Sequence, residues 1–324
     1  MNYCFALLKA LPLLFAVLAF PGAVRAQTYP AKTVRVIVPF PPGAGIDTVA
    51  RLFTPKLTEA MGQSFVVDNR GGAAGNIGAE AAARAAPDGY TLLAATASLA
   101  SSQSLYKDLR FDLARDFVTV ALFATTPYVL GVHPSVPAKS VAELIALAKA
   151  RPGQLTYAST GYGSMPHLTA EMFKMQAGIN ILHVPYKGSA TAVPDLIGGQ
   201  VSMMFSSTVL APVKAGRLRG LAMTSAKRSL AAPDLPTVAE SGFPGFESGT
   251  WFALFAPAGT PREIVTRLNA AVTKIGQMPE IRDKLLASLG AEPMGGTLEE
   301  VGAFVRSEIA KWGKVVAATG VRAE

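Results

Sequence analysis

Short β-branched or apolar runs alternate along the chain with longer Ala/Leu-rich stretches whose apolar positions recur at helical spacing. The short runs predict strands at Val34 to Val38, Phe65 to Asp68, Thr91 to Ala95, Val118 to Phe123, Tyr128 to Val132, Leu155 to Ala158, Ile181 to Val184, Val201 to Phe205, Leu218 to Thr224 and Trp251 to Ala256. Between them the periodicity predicts helices at Ile46 to Met61, Asn76 to Ala86, Val141 to Ala150, Pro166 to Ala177 and Ala190 to Gly198. This order implies an α/β fold of parallel sheets with helical crossovers. After Gly259-Thr260-Pro261 three helical segments follow one another with no further strand. Thr260 is the expected N-cap with Pro261 at the first helical position, and Thr297 the expected N-cap before Glu299-Glu300. These last helices are expected to pack back on the first part of the chain.

Length sharpens that picture. A chain of 324 residues exceeds the size at which single cores stop growing, which favours two lobes. The expected division is a discontinuous first lobe, residues 27–127 plus 236–324, and a second lobe, residues 128–235. The crossings fall near Thr125 to Tyr128 and between Ser225 and Gly249. The Ala/Gly-rich stretch Gly71 to Ala86 reads as a helix lying close on a sheet.

At the N-terminus Lys9 precedes an apolar run from Ala10 to Phe20 and then Val24-Arg25-Ala26, the order of a signal peptide over residues 1–26. The run is far short of the ~20 residues a membrane-spanning helix needs. A periplasmic mature chain beginning near Gln27 is the expectation. The single cysteine, Cys4, lies before the apolar run, so the mature chain depends on a packed core and not on disulfides or thiolate metal sites. Of the formal charge of +8, Lys9 and Arg25 supply two, leaving +6. The basic residues are scattered with no Lys/Arg-rich run, which argues against a nucleic-acid partner.

Three strand-to-helix loops are suited to anions, because helix N-termini present free N–H groups at the positive end of the dipole. The first is Pro39-Phe40-Pro41-Pro42-Gly43-Ala44-Gly45-Ile46-Asp47, the second Ser159 to His167, and the third Pro185-Tyr186-Lys187-Gly188-Ser189-Ala190. In a two-lobed fold the first faces the other two across one cleft. Three or four charge-assisted hydrogen bonds of ~1.5–3 kcal/mol each reach the roughly −8 kcal/mol of micromolar binding without a buried arginine. Asp47 complements the dipole of its helix and is also placed to accept a ligand amine. Lys187 is placed to meet a carboxylate, and Phe40 to form an apolar wall.

Enzymatic readings fit less well. There is no phosphate-loop motif, and Gly71-Gly72-Ala73-Ala74-Gly75-Asn76-Ile77-Gly78 has the wrong glycine spacing for a dinucleotide fingerprint. The three histidines, His133, His167 and His183, lack metal-binding spacing. Ser164 and His167 lie a helical turn apart, but no third member completes a nucleophilic triad, which leaves His167 as a structural histidine or a ligand contact. No enzyme activity, cofactor or metal is expected.

Several motifs are familiar. Tyr29-Pro30 through Pro42-Gly43, Asp88-Gly89-Tyr90-Thr91-Leu92-Leu93, His183-Val184-Pro185-Tyr186-Lys187-Gly188, Leu235-Pro236-Thr237-Val238-Ala239-Glu240-Ser241-Gly242 and Ala256-Pro257-Ala258-Gly259-Thr260-Pro261 resemble the Bug-type receptors of tripartite tricarboxylate transporters. The resemblance implies a type II periplasmic-binding-protein fold whose two α/β lobes close on one solute. It implies a monomer that captures a small organic acid and delivers it to the transporter's membrane subunits; a periplasmic sensor facing a signalling partner is the alternative. Carried over by position, it implies ligand contacts at Phe40, Gly43, Ala44 and Gly45, at Thr160, Gly161, Gly163 and Ser164, and at Gly188 and Ser189, with Thr96 and Ser98 as further contacts. Two departures stand out: Ala44 and Ile46 replace a glycine and a small polar residue, and Ser206-Ser207-Thr208 stands where many members place an acid. The first implies a less polar pocket floor, and the second argues against recognition of a ligand amine and favours an all-carboxylate or aromatic carboxylate ligand.

Overall fold

The computed structural model describes residues 29–322. The expected leader, with Cys4 and its cleavage site, lies outside the described residues. The chain begins with β1 (Val34–Val38), α1 (Gly45–Met61), β2 (Phe65–Asn69), α2 (Asn76–Ala83), β3 (Thr91–Thr96), α3 (Ser98–Leu105) and β4 (Phe117–Pro127). It continues through β5 (Val129–Val132), α4 (Val141–Ala150), β6 (Thr156–Ser159), α5 (Met165–Ala177), β7 (Leu182–Pro185), α6 (Ser189–Ile197), β8 (Met203–Ser206), α7 (Leu210–Lys214) and β9 (Arg219–Met223). It returns by β10 (Gly249–Pro257) and ends with α8 (Arg262–Gly276), α9 (Pro279–Leu289), β11 (Glu292–Pro293) and α10 (Leu298–Thr319).

Two sheets result, ordered β11-β4-β10-β3-β1-β2 and β7-β6-β8-β5-β9. In β1 every residue but Arg35 is buried, as expected of a strand covered on both faces. The sheets are mixed, which corrects the expectation of parallel ones. Strand β1 runs parallel to β2 and β3, but β10 runs antiparallel to both β3 and β4. The reason is the path of the chain: β4 leaves the first sheet for the second and β10 comes back beside it. A further correction is β11, a strand among the C-terminal helices that pairs with Thr125 and Ala124 at the end of β4. Helices α3 and α7 were also absent from the expectation.

The two crossings are joined to each other. Thr224 donates its N–H to the Tyr128 carbonyl at 2.9 Å and its hydroxyl to the Ser248 carbonyl at 2.6 Å, while the Tyr128 N–H donates to the Thr224 hydroxyl at 2.8 Å. Gly249 makes the approach possible: at φ +154° it lies so close to the outgoing strand that a Cβ would sit 2.5 Å from the Thr126 carbonyl oxygen. Residues before it stay with the second sheet, where Val238 N–H donates to Met223 at its edge.

Amphipathic spacing builds the cores. In α1, Ile46, Val49, Ala50, Phe53, Leu57 and Met61 are buried, and the Phe53 ring lies 4.7 Å from that of Phe123 on β4. The C-terminal helices pack mainly on this first lobe, though α10 also reaches α5. Buried Glu308 on α10 accepts from the indole N–H groups of Trp251 and Trp312, each at 3.0 Å, which ties α10 to the returning strand. Thr297 caps α10 in a capping box with Glu300. Thr260 does not cap α8: its hydroxyl turns back to the Pro257 carbonyl, and Pro261 takes the cap position.

Candidate functional site

A cavity of about 540 Å³ opens between the two sheets. Its walls bring together Phe40, Ala44, Gly45, Thr96 and Ser98 from the first lobe with Thr160, Gly163, Ser164 and Ser189 from the second. Among the described residues, no charged side chain lines it.

The first wall is the turn between β1 and α1. Ala44 occupies the N-cap position of α1 in an extended conformation and, lacking a polar side chain, caps nothing. The N–H groups of Gly45, Ile46 and Asp47 consequently have no acceptor among the described residues. Gly43 and Asp47 do different work from that expected. The Gly43 N–H donates to Asp47 Oδ2 at 2.9 Å, and the same carboxylate accepts from Arg51 Nε at 3.0 Å and Asn69 Nδ2 at 2.8 Å. Burial opposes the charge on Asp47, but hydrogen bonds from Arg51, Gly43 and Asn69 outweigh it and hold the carboxyl below the usual carboxylate range. Asp47 is thus fully engaged in shaping the turn and is not free for a ligand amine.

On the opposite wall, α6 starts after Gly188 with no side-chain cap, leaving Ser189 N–H at the cavity edge. Gly188 supplies the turn but does not line the cavity, and Lys187 is exposed outside it. The α5 end is occupied by its own residues. Ser164 Oγ accepts from the His167 N–H at 3.4 Å and donates to the Gly161 carbonyl at 2.7 Å, and the Gly163 N–H donates to His167 Nδ1 at 3.0 Å. Gly161 and His167 therefore lie behind the wall. The Ser164 hydroxyl makes no contact with the His167 ring nitrogens, so the nucleophilic pair does not form. A different pair does: Ser159 Oγ lies 2.6 Å from His183 Nε2, but Ser159 is fully buried, beyond reach of a substrate.

The floor was mostly missed. Ser101, Ser102, Ser206, Ser207, Thr208 and Thr250 add hydroxyls, and Leu105, Tyr106, Phe252 and Leu289 add apolar surface. Phe252 lies within the expected strand Trp251 to Ala256 and is not among the expected contacts. The hydroxyl-rich segment Ser98 to Ser102 was the available signal, hidden because α3 was not recognised as a helix. Thr126 is the sharpest omission: it lines the cavity at the crossing, buried, and its Oγ1 has no partner among the described residues. Buried hydroxyls are nearly always paired, so one left open beside a cavity marks a place for a ligand or water oxygen.

Comparison with known proteins agrees with this geometry. The profile of TctC, the tripartite tricarboxylate transporter family receptor, matches residues 49–321. Protein BugT of Bordetella pertussis is 39% identical over 320 residues, covering 98% of each chain. A Rhodopseudomonas palustris protein with adipate is 41% identical, covers 91% of this chain and 99% of its own, and superposes with a TM-score of 0.77. MatC from the same organism, with bound malate, is 32% identical, covers 89% of this chain and 100% of its own, and gives a TM-score of 0.72. The two lobes, the cleft between them and an alignment that runs almost end to end make this chain a member of the tripartite tricarboxylate transporter receptor family, the Bug-type periplasmic solute-binding receptors.

Proposed function

We propose that this protein captures a small carboxylate in the cavity and presents the closed form to the membrane subunits of a tripartite tricarboxylate-type transporter. The observation that carries the reading is the pair of uncapped helix ends, α1 and α6, on opposite walls of a cavity lined by no charged side chain. Free amides and hydroxyls favour an anion. An amine would need a carboxylate, and the nearest candidate in sequence, Asp47, is already saturated. The apolar surface of Phe40, Leu105, Tyr106 and Phe252 suits a ligand with a hydrocarbon body, such as a di- or tricarboxylate or an aromatic acid. Adipate and malate in the two relatives are acids of this class.

Ligand touching both walls favours closure, because only the closed state makes both sets of contacts. The proposed lobes are residues 29–127 with 249–322, and 128–248, a division supported by the start of β10 at Gly249. Delivery into the periplasm would follow from the leader over residues 1–26.

The test is a thermal-shift and calorimetric panel of adipate, malate, citrate, benzoate and matched amino acids. A ligand at 100 times its dissociation constant stabilises the fold by ~2.7 kcal/mol. One-to-one binding of an amine-free acid without turnover is the expected result. Binding of none of the acids, or a preference for the amino acids, overturns the reading.

A further inference from the structure

We propose that His167 and His183 are positioning residues for the second-lobe wall of the cavity, and that ligand affinity falls when His167 takes up a proton. The inference rests on the solute-binding reading of that cavity. The wall in question is the turn between β6 and α5, from which Thr160, Tyr162, Gly163 and Ser164 face the cavity. The two imidazoles hold its two ends. At one end Ser159 Oγ, 2.6 Å from His183 Nε2, accepts the Gly161 N–H at 3.1 Å. At the other, His167 Nδ1 accepts the Gly163 N–H at 3.0 Å. Gly163 has little freedom to move elsewhere: at φ +70° it packs against Leu105, where a Cβ would lie 3.1 Å from Cδ1.

Only a neutral imidazole accepts at Nδ1. A proton there turns the acceptor into a donor aimed at another donor, and the Gly163 amide must leave. The rings also oppose charging each other, since they stack face to face at 3.9 Å and 9°, with Tyr157 stacked beyond His183 at 4.9 Å. The other titratable groups at the stack are Tyr162, edge-on to both rings, and Glu171 and Lys174 of α5. Glu171 favours a charged ring, but its carboxylate already accepts from the Tyr157 hydroxyl and from Lys174, which opposes it. Burial lowers both rings and so favours their neutral forms; at His183, where repulsion from a charged His167 would add to burial, the value is pushed down to about 4. His167 Nδ1 thus holds an amide of the binding loop, while Nδ1 of the stacked His183 is buried without a partner among the described residues.

The experiment follows Gly163 amide protection by NMR hydrogen exchange and adipate affinity by calorimetry, at about pH 8 and about pH 4, the lower arm set beneath the ordinary histidine range because burial lowers the His167 ring. In the wild type both are expected to fall about tenfold at the lower pH, since a group that must be neutral to act loses its function as it charges. His167→Asn offers Oδ1 in place of Nδ1 and does not titrate, so Gly163 protection should stay near the wild-type high-pH value at both pH values, and affinity should fall only as far as protonation of adipate itself requires. Protonation of adipate itself is common to both proteins and cancels in the comparison. His167→Leu should show low Gly163 protection at either pH. An unchanged wild-type protection across the range, or the same fall in His167→Asn, overturns the proposal. If adipate binds at neither pH, the result counts against the carboxylate reading for that acid, and the exchange data alone still decide the role of the histidines.

Discussion

The N-terminal ends of α1 and α5 stand on opposite walls of one cavity, and each follows a strand and a glycine-bearing turn, yet they dispose of their amides in opposite ways. At α1 the cap position holds Ala44, and three N–H groups are left open. At α5 the cap is Ser164, the second residue is Pro166 with no N–H to offer, and the Gly163 amide is taken by His167. Both ends carry the positive pole of a helix. The first leaves it far more available, with the Met165 N–H alone open at the second among the described residues, because an anion competes with any side chain that already caps the helix. The second wall contributes through α6, which starts at Ser189 after the N-cap residue Gly188 and, like α1, has no side chain to cap it.

The strongest test of this contrast is Ala44→Asp, which supplies the cap that α1 lacks and places a carboxylate where an anion would bind. Affinity for adipate should drop by about a hundredfold or more in calorimetry, while the melting temperature does not fall, because an N-cap is worth ~1 kcal/mol. Survival of tight binding would move the anion site away from α1.

Asp47→Ala probes what shapes the same turn. It strips the acceptor from Gly43, Arg51 and Asn69, and urea titration should show a loss of about 2 kcal/mol. Because the folded carboxyl is held below its ordinary value, this contribution is present above the unfolded value of about 3.9 and is lost as pH falls through the folded one. The gap between wild type and variant should therefore be widest at neutral pH and close in acid. A gap that widens in acid would mean that the charge on Asp47 is not what the turn depends on.

Thr126→Val removes a buried hydroxyl that has no partner among the described residues. The ligand-free protein should gain stability by up to ~1 kcal/mol, whereas affinity for adipate should drop several-fold if the hydroxyl meets a ligand oxygen. Equal affinity in the variant assigns that hydroxyl to the hinge alone.

The smallest effect is expected at the end that is already capped. Ser164→Ala should cost about 1 kcal/mol in thermal unfolding, with adipate affinity changed by less than about threefold, since the hydroxyl is committed to Gly161 and His167. A loss rivalling that of Ala44→Asp would erase the distinction between the two helix ends.

Much of this was readable in advance. A β-branched run marked β1, apolar runs marked β3 and β9, and the i, i+3, i+4 spacing from Ile46 to Met61 marked α1, because burial imposes a pattern on the residues themselves. The turn chemistry of Phe40 to Gly45 pointed to one wall of the cavity, since proline, glycine and a non-capping alanine act locally. Helix α3 was lost because Ser98 to Leu105 has hydroxyls on buried positions, Ser101 and Ser102, that turn back on the Ser98 carbonyl and disguise the apolar stripe.

What the sequence determined alone was thus the kind of element at each point and the identity of the helix starts that could hold an anion. Which of those starts remains open was decided by the tertiary structure. His167 and His183, 16 residues apart and read as isolated, become a stack at 3.9 Å only when β7 is laid beside β6. Thr126 becomes an open hydroxyl only where β4 meets the returning β10. The physical reason is the range of the interactions: propensity and periodicity are set by near neighbours in the chain, whereas the satisfaction of a polar atom is settled by whatever the fold brings to within 3 Å of it.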